Sequence, residues 1–580
     1  MYRPELDILG GSLFLTALAA MLPLVTLFVL LGVLRLAAWK AALVSLAVSL
    51  LVAILAYRMP AGTALSAGVE GAAFGFFPIL WIVINAIWVY NMTVKTGHFD
   101  VLRRSFARIS DDLRIQAIII AFCFGALLEA LAGFGTPVAI TSVMLIAVGF
   151  RPMRAAVLAL VANTAPVAFG ALAAPITTLA TVSGQEERLL SQIVGRQTPI
   201  LGAIVPLALV YIIDRGRGVR QTLPATLVCG FSFAAAQFVA SNWLSIPLTD
   251  IVASLAGALS VVLLLRVWKP AESFTTADER AAAEEQELVA AGARSRDAEA
   301  HGDGAHVSDG THAKDAGLAT ADEYAERDAR AHDTTGDVVR AYAPYLIIIA
   351  VFSLAQLPAI KSALESVTHS FAWPGLDGLQ SASGKPSKLP TFKLNWLSAA
   401  GTLLIISGLL TIPVIGISPA RALRAMGETY RQLRAAIVTV MAVLGLAYVM
   451  NASGQTATLG AWLAGAGGLF ALLSPILGWL GVAVTGSDTS ANSLFGALQV
   501  SAAQKAGLNP ALMAASNSSG GVVGKMVSPQ NLAIAAAAVG MSGREGDLLR
   551  ALLKWSLGFL AFMCVLVYLQ STILSWMLPG

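Results

Sequence analysis

Glu129-Ala-Leu-Ala-Gly133-Phe-Gly-Thr136-Pro137, followed by Asn163-Thr-Ala-Pro166-Val-Ala-Phe-Gly170-Ala-Leu-Ala-Ala-Pro175, is a polar passage, broken by glycine and proline, inside otherwise apolar sequence. Within a bilayer such a break leaves backbone N–H and C=O groups unpaired, and it survives only where protein or a water-filled cavity satisfies them. The pattern recurs as Gly486-Ser-Asp488-Thr489-Ser490 and then Asn517-Ser-Ser-Gly-Gly-Val-Val-Gly524-Lys525-Met-Val-Ser-Pro529, with Asn163 and Asn517 separated by 354 residues (517 − 163). Asn, Gly seven residues on and Pro twelve residues on stand in both copies, each preceded by a Gly-x-x-Pro turn, Gly149–Pro152 and Gly507–Pro510. Upstream lie Asn91/Thr93 and Asn451/Ser453, each near the end of an apolar run. A duplicated unit is the economical reading, and paired, interrupted apolar segments point to the binding site of a transporter.

Composition sets the class. Of 580 residues, 57% are hydrophobic and 12% charged, and residues 12–34 alone form an uncharged run. Runs of that length identify membrane-spanning helices and exclude both a soluble enzyme and a porin-type barrel, whose strands are short and alternating. The first run is too long for a signal-peptide core and is kept as a span. Cys123, Cys229 and Cys564 fall in apolar runs with no metal spacing, and read as small core residues. Residues 268–340 hold 17 of the 34 acidic and 8 of the 38 basic residues, and are expected to be a disordered acidic loop. The irregular spacing of His301, His306, His312 and His332 argues for a solvated linker rather than a metal site.

Basic residues collect on cytoplasmic loops. Arg35 and Lys40, then Arg103, Arg104 and Arg114, then Arg151 and Arg154, Arg215 to Arg220, Arg266, Arg421 to Arg434, and Arg544 place the N-terminus outside. On this path the pair 115–150 is entered from the inside and the pair 457–504 from the outside, which makes the two copies inverted. The expected fold is an all-α polytopic membrane protein of about twelve spans plus two re-entrant-type helical hairpins, in two inverted-topology repeats. Its divisions are 1–220 as the first repeat (hairpin 115–150, broken helix 155–182), 221–267 as two linking spans, 268–340 as the loop, and 341–580 as the second repeat (hairpin 457–504, broken helix 506–541).

Thr136 before Pro137 reads as a helix start, with a hydroxyl cap and proline in the first turn, and Asp488, Thr489 and Ser490 as its counterpart. Two such helix ends facing each other offer free N–H groups and partial positive charge to a small carboxylate. Glu70, Glu129, Asp488 and Lys525 lie in or near apolar runs, where charge is expensive and therefore a mark of function. Glu129 is the expected proton carrier, with Asp488 beside it. Lys525 meets the substrate carboxylate, pairs with Asp488 or snorkels outward, and Glu70 reads as interfacial. Asn163, Thr164, Asn451, Asn492, Asn517, Ser518, Ser519, Gln530 and Asn531 form the remaining polar set. Each serves either as a ligand or as glue between helices; the registered Asn163 and Asn517 are expected in the site. No HExxH, no GxSxG and no histidine inside a run is present, so neither an enzyme nor a metal site is expected, and no cofactor beyond the proton as coupling ion.

Leu128-Glu-Ala-Leu-Ala-Gly-Phe-Gly-Thr-Pro-Val-Ala-Ile140, Asn163-Thr-Ala-Pro-Val-Ala-Phe-Gly-Ala-Leu-Ala-Ala-Pro175 and Ser528-Pro-Gln-Asn-Leu-Ala-Ile-Ala535 resemble the bacterial L-lactate permease family over nearly the whole chain. The acidic segment 268–340 departs from the family pattern and leaves the transport core untouched. The resemblance implies proton symport of L-lactate, with D-lactate and glycolate as further substrates, across the inner membrane of a bacterium. The residues alone lead to a small-anion carrier, with sodium coupling as the competing reading because Asn, Ser and Thr at helix breaks also suit Na⁺. Expected partners are the substrate and the lipid bilayer, with no nucleic acid; the sequence leaves the oligomeric state open, a homo-oligomer included.

Overall fold

The computed structural model describes residues 2–579 apart from 35, 108, 132, 134, 276–332 and 381–390. Among the described residues nine helices are long and apolar enough to cross a membrane, and a tenth is formed if the bent pair Pro152–Ala162 and Val167–Ser183 counts as one span. The chain is a multi-pass helical membrane protein. Shorter apolar helices at Thr136–Ala147, Thr249–Leu265 and Ala400–Val414 complete the apolar layer.

Burial sorts these helices by role. Leu13–Val33 and Ala38–Ala56 have one third of their most apolar windows buried, and side chains such as Phe14, Leu18, Leu22 and Leu55 point outward. In hydrocarbon there is no hydrophobic drive to cover such faces. The corresponding window of Leu113–Leu131, the segment that carries Glu129, is wholly buried. A carboxylate in that position never meets lipid, which is what makes it tolerable.

Two series of elements recur along the chain. The first runs Gly125–Leu131, a break, Thr136–Ala147, a turn at Gly149, Pro152–Ala162, a second break, and Gly170–Ser183. The second runs Phe470–Thr485, a break at Gly486, Asp488–Ala506, a turn at Gly507, Pro510–Gly524, a break at Lys525–Val527, and Pro529–Ala538. Both breaks expected from the sequence are present. The first bends by 65°, because Pro166 lacks the N–H that would continue the ladder. It then holds Ala171, Leu172 and Ala173 at φ of 45°, 52° and 62°, a left-handed turn that costs roughly 1–2 kcal/mol per non-glycine residue. Within the second series, Gly478 and Gly520 let Phe470–Thr485 and Pro510–Gly524 touch backbone to backbone. A Cβ at Gly478 would stand 1.9 Å from the Asn517 carbonyl oxygen, and one at Gly520 2.2 Å from that of Pro475.

Several boundaries differ from the sequence reading. The span expected at 435–450 begins at Pro419, because nothing between Arg421 and Arg434 breaks the helix once it leaves the apolar layer. Runs 198–213 and 222–242 join as Thr198–Val239 across a kink at Asp214 and Arg215. The Ser/Gly/Pro-rich loop after 360 contains a two-stranded antiparallel sheet, His369–Ala372 with Thr391–Leu394, pairing His369 with Leu394. The acidic segment is anchored at both margins. Arg114 is buried and donates to Asp112 (2.7 Å), Asp214 (2.8 Å) and the Glu272 carbonyl oxygen (2.6 Å), while Asp333 accepts from Arg104 at 2.6 Å. The expected disorder at 268–275 and 333–340 is thereby corrected. The centre of the segment, with His301, His306, His312 and His332, lies outside the described residues. The three cysteines are buried and unbridged, as core residues.

Candidate functional site

The two series meet at a cavity of about 1050 Å³ whose walls include Glu129, Gly133, Gly170 and Ala171 from the first and Asp488, Thr489, Ser490, Lys525 and Gln530 from the second. Trp39, Ala435, Glu545 and Leu549 also line it. Glu129 lies in the last turns of Gly125–Leu131, and Lys525 directly follows Pro510–Gly524. The carbonyl-rich end of a helix favours a cation, so Lys525 sits where the backbone supports it, and Glu129 does not. The two offset each other: Lys525 Nζ donates to Glu129 Oε1 at 2.5 Å, with both side chains almost fully buried. Glu129 Oε2 accepts from Asn163 Nδ2 at 3.0 Å. The pair therefore bridges residues 396 positions apart and ties one series to the other.

Asp488 occupies the first turn of Asp488–Ala506, the end that favours an anion. Its Oδ2 accepts from Ser518 Oγ at 2.5 Å and Asn492 Nδ2 at 3.2 Å; Oδ1 has no hydrogen-bond partner. Thr489 and Ser490 stand beside it on the cavity wall. The Lys525 ammonium, the Glu129 and Asp488 carboxyls, the Thr489 and Ser490 hydroxyls and the helix N-terminus at Asp488 together suit a small hydroxylated anion. Among the described residues no group of three or more His, Cys, Asp or Glu is placed to hold a metal.

The sequence reading is corrected at several positions. The cap before Thr136 is Gly135, at φ +84°, and Thr136 is the first helical residue, away from the cavity walls. Glycine is required there because the chain reverses through a left-handed residue. The cap of the second helix is Ser487, whose Oγ accepts from the Ser490 N–H at 3.3 Å, so Asp488, Thr489 and Ser490 are first-turn residues. Of these two helix N-termini, only the second reaches the cavity. Lys525 pairs with Glu129, not with Asp488. Glu70, read as interfacial, is 1% exposed, with Oε2 unpartnered and away from the cavity. Asn163 touches the ion pair, but Asn517 donates to Asn492 Oδ1 (2.9 Å) and accepts from Gln499 (3.2 Å) within a buried network that continues to Ser474. Thr164 is buried with its hydroxyl unpartnered, off the cavity wall.

Gln499, Ser474, Gln237 and Asp250 escape the sequence reading. Asp250 has a signal, an acid three residues inside the apolar run 247–265; Gln499 and Ser474 have none, because neutral polar residues are common in spans.

The model of a family described as L-lactate permease matches residues 16–301 and 307–574. That match takes in all of the acidic segment except 302–306. The L-lactate permease of Bacillus subtilis (strain 168) is 40% identical over 98% of both chains. The glycolate permease GlcA of Escherichia coli (strain K12) is 39% identical over all of this chain and 99% of its own. Among solved structures, the YdaH transporter of Alcanivorax borkumensis aligns over 88% of both chains at 17% identity, with a TM-score of 0.41. The chain belongs to the L-lactate permease family.

Proposed function

We propose that the protein imports L-lactate, and also D-lactate and glycolate, by proton symport across the inner membrane of a bacterium, with its N-terminus outside. The observation that carries this reading is the buried Glu129–Lys525 pair on the cavity wall. Lactate has one carboxylate, and the buried ammonium on the cavity wall that can receive it is already held by Glu129. Entry of lactate displaces Glu129 from Lys525, and a carboxylate left there unpaired would be strongly destabilising. Taking up a proton removes that charge. The empty site holds the Lys525 ammonium and the Glu129 carboxylate; the loaded site holds the Lys525 ammonium, the lactate anion and Glu129 as the neutral acid. Both carry the same net charge, which links one proton to each lactate. Thr489 and Ser490 receive the 2-hydroxyl, and Asp488, with its free oxygen, is the second residue able to hold a coupling proton.

The cavity walls Trp39, Ala435 and Glu545 adjoin Lys40, Arg434 and Arg544, so by the distribution of basic residues this is the state open to the cytoplasm. Lactate uptake into proteoliposomes is expected to follow an inward proton gradient without sodium; uptake that needs sodium and ignores pH would refute proton coupling.

Gly170 supplies a further check. A Cβ there would stand 2.8 Å from Glu129 Oε1, whereas one at Gly216 meets nothing within 4 Å. Gly170→Ala is expected to push the carboxyl off Lys525 and lower gradient-driven uptake by about tenfold or more, equivalent to about 1.4 kcal/mol, with Gly216→Ala unchanged. Equal uptake by the two variants would show that the position of the carboxyl is immaterial.

A further inference from the structure

Asp250 lies in the first turn of Thr249–Leu265 and is fully buried. Its Oδ1 accepts from Gln237 Nε2 at 2.7 Å, and its Oδ2 has no hydrogen-bond partner. The helix N-terminus favours an anion there, but an ionised carboxylate enclosed in this way has a single neutral donor, and burial of a charge demands pairing. Among the described residues Asp250 has no cationic partner within ion-pair distance.

Its surroundings suggest why a carboxyl is there. Thr249–Leu265 packs against Gly125–Leu131, and the Asp250 and Glu129 carboxyls lie within electrostatic reach of each other. Cys123 and Cys229 also face this helix, near Gly257 two turns further on; Thr198–Val239, which packs along it, carries Tyr211, Asp214, Arg215, Arg217 and Arg220 besides Cys229. Gly170–Ser183, which also packs on it, brings no ionisable side chain. No described residue from 176 to 434 lines the cavity, so Asp250 is off the wall that the substrate meets. Gln237 is in turn met by the Thr198 hydroxyl at 3.4 Å, beside Gln197, which donates to Gln570 at 2.7 Å. Asp250 thus ends a polar chain through Gln237 and Thr198, on a helix packed against the one that carries Glu129.

We infer that Asp250 is a proton-exchange partner of Glu129. This rests on the proton-symport reading above. When lactate leaves and Lys525 re-engages Glu129, the proton passes from the Glu129 carboxyl to the Asp250 carboxylate and from there to water; for loading, Asp250 takes a proton from water and hands it to Glu129 as lactate displaces that carboxyl. The O–H bond broken on one carboxyl is formed on the other, and one proton enters and leaves the protein with each lactate, so the charge balance of the site is kept. Asp250 never touches substrate.

Asp250→Asn keeps the shape and the acceptor for Gln237 but removes the proton site. In proteoliposomes, proton-driven lactate uptake is expected to fall by about 10²-fold or more, while lactate–lactate exchange at equal pH, which requires no net proton movement, stays close to wild type. The residual uptake is expected to slow further in D₂O, where the wild-type rate is less sensitive. Unchanged proton-driven uptake in the variant, or exchange that falls as far as uptake, would overturn the inference and leave Asp250 a packing residue. If wild-type uptake itself ignores the proton gradient, the symport reading fails instead. Should Asp250→Asn not reach the membrane, Asp250→Ser carries the same comparison.

Discussion

Glu129→Gln is expected to abolish gradient-driven accumulation of lactate while leaving counterflow intact. Glutamine has the shape of the protonated acid, so Lys525 is permanently released to the substrate and the loaded site forms normally. The empty site is the one that suffers. Lys525 is then a buried ammonium facing a neutral amide, and removing one partner of a buried pair costs about 3–5 kcal/mol. If that penalty falls on the return of the empty carrier, net uptake slows by roughly 10²- to 10⁴-fold, whereas counterflow, in which the carrier always returns loaded, avoids it. Tracer uptake under an imposed pH gradient, compared with counterflow in the same vesicles, separates the two. Accumulation that survives the substitution clears Glu129 of the coupling role.

Lys525→Met is expected to abolish both. Methionine retains the length of the side chain but removes, among the described residues, the only buried ammonium on the cavity wall, so lactate has no counter-charge, and Glu129 has none either. The variant is also expected to be less stable by about 3–5 kcal/mol, which makes inactivity ambiguous by itself. The double variant Glu129→Gln, Lys525→Met resolves this, because replacing a whole buried pair with neutral groups is often close to neutral in stability. Recovered thermal stability without recovered counterflow is the expected outcome. Counterflow by the double variant would show that lactate is held elsewhere.

These two predictions rest on a contact that spacing alone does not reveal. The sequence marks Glu129 and Lys525 separately, as charges that apolar runs would otherwise reject. It does not say which acid Lys525 meets, because Asp488 is nearer along the chain and the partner is fixed by how two distant segments pack. The helix breaks at 163–175 and 525–529 are legible, since proline and glycine act locally. The caps lie one residue earlier than the sequence suggests, at Gly135 and Ser487, because local sequence permits several starts and tertiary packing selects one. Glu70 departs in the opposite sense: its place near the start of an apolar run suggests an interface, but Ala61–Lys95 begins earlier than that run and carries Glu70 a full turn deeper. Asn163 and Asn517 stand in register along the sequence yet differ in duty, one against Glu129 and the other among Asn492 and Gln499. Sequence register thus locates corresponding positions without assigning them the same chemistry.

The exchange of lactate for Glu129 at Lys525 makes a quantitative demand, that the site never change its net charge. Simultaneous recording of lactate entry and external alkalinisation in proteoliposomes, with the membrane potential clamped at different values by potassium and valinomycin, tests it directly. The account predicts a single proton per lactate, at a rate independent of potential and of sodium. Lactate entry without alkalinisation, or a rate that follows potential or sodium, would contradict it.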